Sequence, residues 1–484
     1  MTLTNRALHR RQFLRGALAT AGAAAALPAF QGLNLFGRHG RVHAAPGKGS
    51  YGPLVPAADL RDGAMRISLP EGFQYRSFSP AGAMMSDGNP VPLAHDGMGV
   101  FNTRDGRFRL VRNHEDRNAP GAGTLAVDGN AYDRKGGGTT TLVVNPFTRE
   151  LERDFISLSG TTVNCAGGVT PWNSWITCEE TNVGPTPGGW QKQHGYCFDV
   201  PADANGTVPA IAIPEMGRFS HEAIAVDPDT WIVYETEDNG SNSGFYRFLP
   251  ATPGVLIDGG QLEMMAIDAA FNYDTRSGQT VGTQLPVSWV PIANPNPPGT
   301  SSTAVYSQGR ALGGARFGRL EGCWYGSGAI YFVSTNGGNA GAGQVWEFRP
   351  QGNGGTLTLI FESGGAAQLD APDNIAVSPQ NGLLLCEDGG GDQYLRGLTL
   401  GGEIFDFALN LETDHEWAGA TFAVAEPSWN DRKVRGENRP VGDRWERVTL
   451  FVNRQGATNG PTPPAPGQEG LTFAIWGPWQ NGAL

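Results

Sequence analysis

Short apolar runs separated by Gly, Asn, Asp and Pro turns fill this chain from Leu60 onward, and six of them open alike: an acidic residue or a cysteine, small residues, then an apolar stretch. The openings are Asp96 (DGMGVFN), Cys165 (CAGGVTP), Glu222 (EAIAVDP), Glu321 (EGCWYGS), Asp373 (DNIAVSP) and a weaker sixth at Ala418 (AGATFAV), close to Glu416. Five are followed, after a turn, by a second run that ends polar (RFRLVRNHE, WITCEE, WIVYETED, IYFVST, LLLCEDGG), which sets Asn113, Glu179, Glu235, Ser334 and Glu387 at or near equivalent ends. Such runs predict β-strands. Their repetition every 45 to 100 residues or so predicts an all-β chain, a six-bladed β-propeller with loop insertions and a polar central channel. Runs such as TTTLVVNP, SGFYRFLP and GQVWEFRP supply outer strands. Ala45–Asp59 reads as an irregular arm, and Asp258–Tyr306, Glu426–Trp445 and the Pro-rich Asn459–Gln468 interrupt the rhythm, the first being long enough to cover one rim. The last run, LTFAIWGPW, is expected to complete a blade begun near the N-terminus, which removes sheet edges.

The N-terminal 44 residues do not fit this pattern. Arg10-Arg11-Gln12-Phe13-Leu14 precedes a weakly apolar Ala/Gly run over Gly16–Phe30, and Val42-His43-Ala44 offers a small-residue cleavage site. This reads as a twin-arginine export signal, with an ordinary secretory signal as the alternative, so the expected mature protein is periplasmic or secreted. Residues 45–484 are then one propeller domain, expected to be a monomer that meets the twin-arginine export machinery and carries no integral membrane segment. Losing residues 1–44 removes six arginines and no acid, which takes the formal charge from −12 to −18. That charge disfavours nucleic acid and anionic membranes as partners. Five cysteines cannot all pair, and a chain that folds before export does so under reducing conditions. Seventy glycines and 34 prolines suit a protein of many tight turns.

Candidate chemistry follows from which residues share a column of the repeat. Neighbours in a strand point to opposite faces, so Cys178 and Cys386, directly before Glu179 and Glu387, fall in a packing column. Cys323 aligns with Ile224 and Ile375, and only Cys165 stands with Asp96, Glu222, Glu321 and Asp373. So many carboxylates at one end of a channel repel one another unless cations neutralise them. A thiolate among carboxylates suits iron, and oxygens such as those of Asp373 and Asn374 suit calcium. The expected metal set is Cys165, Glu222, Glu321, Glu179, Glu235, Asp373, Asn374 and Glu387. A small buried residue is the plainer reading of Cys165, and Glu180, Glu237 and Asp388 taken singly read as solvated turn carboxylates. Arg319 lies two residues before Glu321, on the same face of an extended chain, where a guanidinium can take phosphate oxygens or simply pair with an acid. Asn113 and His114 are further substrate-side candidates, and His221 is a metal or structural histidine. The chain has no Walker loop, dinucleotide fingerprint or Gly-x-Ser-x-Gly elbow.

With HDGM (95–98), RNHE (112–115), NCAGGVTPWNSWITCEE (164–180), GRFSHEAIAVDP (217–228), GRLEGCWY (318–325), PDNIAVSP (372–379) and TFAIWGPW (472–479) in this order behind a twin arginine, the chain resembles the PhoX-type alkaline phosphatases. The resemblance implies a six-bladed propeller with iron and calcium at the channel mouth, acting on phosphate esters. It implies Cys165, Glu222 and Glu321 at metal positions and Arg319 at the phosphate, so that Arg319, Glu321 and Cys165 form the expected catalytic group. The chain departs from many relatives in the long AVAEPSWNDRKVRGENRPVGDRWERV before LFVN, and in Ala418, which offers no ligand. The rival readings are a calcium-dependent propeller lactonase or phosphotriesterase, for which a soft thiolate has no use, and a metal-stabilised binding propeller without activity.

Overall fold

In the computed structural model, residues 49–187, 189–425 and 444–484 are described. The twin-arginine stretch and most of the insertion after Val424 lie outside them. Among the described residues the regular structure is almost all β and propeller-like, in five sheets of six, three, nine, four and four strands. Each begins at an inner strand where the sequence places an opening. These inner strands are His95–Asn102, Asn164–Val169, His221–Val226, Leu320–Gly326, Pro372–Val377 and Trp417–Val424. Each touches the next around a ring, and the last touches the first.

The six openings do not make six separate blades. Four sheets stand as blades, but Gln284–Pro291 pairs with Val255–Ile267 on one side and Gly354–Glu362 on the other, which joins two units into one nine-stranded sheet. That sheet curls until its end strands, His221–Val226 and Leu320–Gly326, meet, so it is a nearly closed barrel. The joining strand comes from Asp258–Tyr306, the stretch expected to cover a rim. Its alternating Leu285, Val287 and Trp289 find an apolar face to bury, and the joined pair has fewer open edges. The segment Ala45–Asp59 is likewise less irregular than its composition suggests, since Leu54–Ala57 pairs with Ile67–Pro70.

Closure follows the sequence expectation. The C-terminal strand Leu471–Trp476 pairs antiparallel with Gln74–Phe78 near the N-terminus. Around it Tyr51, Phe73, Phe407 and Trp479 pack edge-on or stacked, and the Tyr51 hydroxyl donates to the Leu484 carbonyl at 2.8 Å. Apolar packing carries most of the stabilisation. Tyr234, Phe245, Phe332, Trp346 and Phe348, all from the nine-stranded sheet, share one apolar layer within its curl, each contributing on the order of 1.5–3 kcal/mol of burial.

One local device recurs in every inner strand. The residue before each opening pairs with the last residue of the returning strand (His95 with His114, Asn164 with Glu179, His221 with Glu237, Leu320 with Ser334, Pro372 with Glu387), and the register then slips over the opening residue and its successor. A bulge of this kind turns a side chain out of its normal face. Here it aims Asp96, Cys165, Glu222, Glu321 and Asp373 at the channel. In the sixth strand the slip falls one residue later, after Ala418. This register also corrects two sequence alignments: Asn113 and Glu235 are not equivalent to Glu179, and His114 and Glu237 take those places.

Candidate metal centre and active site

Small residues let the bulges crowd together. A Cβ on Gly97 would meet the Ala166 Cα at 2.6 Å and the Cys165 carbonyl at 2.8 Å, so this second position of an opening has little room for a side chain. Inter-blade hydrogen bonds hold the crowded backbones. Asn113 Nδ2 donates to the Cys165 and Ala166 carbonyls at 2.9 and 2.7 Å, Thr236 Oγ1 to the Glu321 carbonyl at 2.6 Å, and Asn453 Nδ2 to the Asp96 carbonyl at 2.6 Å.

The result is a continuous chain of donors. Four overlapping groups have their ligand atoms within 4.8 Å of one another: Asp96, Glu115 and Cys165; Cys165, Glu180 and Glu222; Glu222, Glu321 and Asp373; and Asp373, Asp388 and Glu416. The structure thus brings together Cys165, Glu222, Glu321 and Asp373. It adds Glu115, Glu180 and Asp388, each one residue beyond a returning strand's last paired position, and Glu416. The pairs His114-Glu115, Glu179-Glu180 and Glu387-Asp388 were the available signal. The first member of each pair ends the ladder, and the second faces the ring.

Other expected ligands are engaged elsewhere. Glu179 accepts from the backbone N–H groups of Thr162, Gly195 and Tyr196 and contacts His194 Nδ1 at 2.6 Å. Glu387 accepts from the N–H groups of Asp370 and Tyr394 and from Arg396 Nε at 2.8 Å. Glu235 sits two residues short of its strand's end, in a separate group with Cys197 and His221. Asn374 donates to Asp373 and accepts from Gly419 N–H at 3.0 Å, so it supports a ligand. Asn113 has its oxygen on Trp175 Nε1 and its nitrogen on Cys165, and so positions Cys165 instead of meeting substrate. His114 is fully buried, with Nδ1 against the Leu93 carbonyl and Nε2 against the Thr140 hydroxyl. Cys178, Cys323 and Cys386 lie in apolar clusters.

The electrostatics call for cations. Burial, and then the Glu321, Asp373 and Glu180 carboxylates, push Glu222 well above the usual carboxylate range. Burial, Glu115 and Asp373 do the same to Asp96, and burial with Asp388 pushes Asp373 up to about 7. The Cys165 thiol is raised by burial, Asp96 and Glu222, and lies 3.7 Å from Asp96 Oδ2. Both Glu222 oxygens are buried without a hydrogen-bond partner. Two guanidinium groups offset part of the charge. Arg117 pairs with Glu115, and with Glu180 at 2.7 Å. Arg319 pairs with Asp238 at 3.1 Å and approaches Glu321 Oε1 to 2.6 Å without hydrogen-bond alignment, while its side chain stays 35 % exposed. Its φ of 32° is a left-handed kink that Ala94, Val163 and Ala371 repeat at the same place in other blades.

Orphaned carboxylate oxygens, one thiol and a deficit of cations fit a metal cluster, harder at the Asp373 end and softer at Cys165. A family model described as alkaline phosphatase PhoX matches residues 49–153 and 144–431. No curated protein matches. Among solved structures, a gluconolactonase from Xanthomonas campestris is 12% identical over 91% of this chain and 100% of its own, with a TM-score of 0.39. The PQQ-bound aldose sugar dehydrogenase of Streptomyces coelicolor is 10% identical over 71% of this chain and 99% of its own, with a TM-score of 0.31. Likenesses this slight carry no argument about activity.

Proposed function

The chain belongs to the PhoX alkaline phosphatase family, and from that premise we propose that it hydrolyses phosphate monoesters at the channel mouth with iron and calcium as cofactors. The observation that carries this reading is Glu222, fully buried with neither oxygen hydrogen-bonded, where the Cys165 and Asp373 groups meet. Cys165, Asp96, Glu115, Glu180 and Glu222 would hold iron, and Glu321, Asp373, Asp388 and Glu416 would hold calcium. When bound, the cations supply Lewis acidity toward the phosphoryl oxygens and offset the charge that grows on them.

The protein's own groups do the rest. Arg319 presents a partly exposed guanidinium whose Asp238 and Glu321 contacts fix its direction, so it orients an incoming phosphate as a planar fork. Arg117 offers a second cation at the same mouth, between Glu115 and Glu180. On loading, the raised carboxyls and the Cys165 thiol must give up protons, and Gln455 steadies Asp96 and Glu115 through Nε2 at 2.8 and 2.7 Å. Residues 1–44 are proposed to direct export through the twin-arginine route, and residues 45–484 to form one catalytic domain. No helix among the described residues is long and apolar enough to cross a membrane. Turnover of a chromogenic phosphate monoester should be lost on thorough chelation and restored by calcium. Undiminished turnover in the chelated enzyme would sink the proposal.

A further inference from the structure

Glu235, fully buried, has neither carboxylate oxygen in a hydrogen bond. A carboxylate in that position is costly unless a cation meets it. Among the described residues no lysine or arginine does so; its neighbours are a histidine and thiols. His221 Nδ1 lies 3.4 Å from Glu235 Oε2, and Cys197 Sγ lies 3.5 Å from the same nitrogen. Cys178, directly opposite Cys197 across two antiparallel strands, brings its sulfur to 3.6 Å from that of Cys197. All four residues are fully buried.

We propose that Cys197, His221 and Glu235, with Cys178 as the fourth donor, form a closed structural site for a zinc-class divalent cation, separate from the channel cluster and independent of the phosphatase reading. A tetrahedral zinc ion with ordinary bond lengths spaces its ligand atoms about 3.8 Å (S to S), about 3.5 Å (S to N) and about 3.4 Å (N to O) apart. The observed 3.6, 3.5 and 3.4 Å match that frame. His221 is set up for the role. Its Nε2–H donates to the Gly217 carbonyl at 3.0 Å, which leaves the Nδ1 lone pair facing the thiol and carboxylate, and Phe219 stacks on the ring at 3.7 Å. Metal-bound histidines commonly hold their second nitrogen in this way. The two sulfurs are too far apart for a disulfide, which needs about 2.05 Å.

The site ties the returning and outer strands of the three-stranded blade, Ser174–Glu179 and Cys197–Pro201, to the first strands of the nine-stranded sheet. His221 directly precedes Glu222 in one strand but belongs to a separate group, so the ion would brace the strand that carries a channel ligand. Four protein ligands and no exposure leave no open position for substrate.

The test is metal analysis of the full-length purified protein after exhaustive chelation. One equivalent of zinc per chain should remain when the channel metals are gone, and Cys197→Ser and His221→Ala should each lose that equivalent. Protein carrying Cys165→Ser and produced with cobalt should still show thiolate-to-cobalt absorption, which adding Cys197→Ser abolishes. A chain that keeps no zinc, cobalt-grown folded Cys165→Ser protein without thiolate absorption, or three free thiols in place of five in the denatured wild type would each overturn the assignment, the last by showing a Cys178–Cys197 disulfide. Should the variants fail to fold, the zinc and thiol counts of the wild type still decide.

Discussion

Cys165 and Cys178 are thirteen positions apart in one hairpin, yet they face different worlds: the channel carboxylates and an apolar layer. Replacing a soft charged donor with a hydroxyl weakens iron far more than it weakens a hard cation. Cys165→Ser should therefore lose channel iron, its thiolate-to-iron visible absorption and most turnover. Cys178→Ser should keep that iron and lose stability instead, because the proposed structural cation loses its fourth donor and a hydroxyl enters an otherwise apolar layer. Iron content and visible spectra of the two proteins decide between these outcomes. Arg319 makes a second residue-scale test. Arg319→Lys keeps the charge but removes the fork, so kcat/KM for phosphate monoesters should fall by about 10-fold or more. Unchanged kcat/KM would leave Arg319 as a structural partner of Asp238 and Glu321.

At the scale of elements, the bulged inner strand explains the composition of the openings. The bulge aims the first residue inward, and close approach of neighbouring strands keeps the second small at Gly97, Ala166, Ala223, Gly322 and Gly419, while Asn374 spends its amide on Asp373 and Gly419. Gly419 shows the constraint at its sharpest, with φ of 61° and a prospective Cβ 2.4 Å from the Asp96 carbonyl. Gly419→Ala should cost about 2 kcal/mol or more, read as a lower urea midpoint, since left-handed strain and backbone overlap add. The alternation of apolar residues made strands and openings legible from sequence. Pairing partners were less so: in the WIVYETED run, Glu235 and Glu237 both come after the apolar stretch, and only the ladder shows that Glu237 pairs with His221. The doubled acids misled in the same way. Glu180 and Asp388 read as solvated turn residues because nothing local reveals that six such turns converge on one ring.

Across the whole molecule, the concentration of buried acids ties stability to pH and metal. Asp373 takes up a proton in the metal-free fold at a pH near 7, against 3.8 for its ordinary value, and Glu222 and Asp96 shift the same way. A folded state that holds protons more tightly than the unfolded chain is most stable below the unfolded pKa and loses that stability as pH rises through the folded one. The chelated protein should thus melt at progressively lower temperature from about pH 4 to beyond pH 7. Calcium should flatten or reverse the trend, and thermal melts with and without the ion measure it. The proposed export is tested on the whole chain as well. Arg10→Lys with Arg11→Lys should leave folded precursor in the cytoplasm, and normal fractionation of that double variant would return the segment to the ordinary secretory class.

The sequence alone determined what is periodic or local. It settled the six inner strands, the closure of the last strand onto the first, the family, and the column that holds Asp96, Cys165, Glu222, Glu321 and Asp373. The strands, the family motifs and the column are written within about ten residues or repeated along the chain, and closure follows from the repeat, because a ring of blades brings the last edge to the first. Only the tertiary structure decided what depends on pairing between distant segments. The strand Gln284–Pro291 joins two units because both of its edges found partners, which no local pattern announces. Glu179 and Glu387 became structural because backbone N–H groups and Arg396 lie within reach, whereas Glu115, Glu180 and Asp388 became ring residues one step further on. Glu235 met His221 and Cys197 for the same reason: burial and hydrogen bonding are settled by neighbours in space.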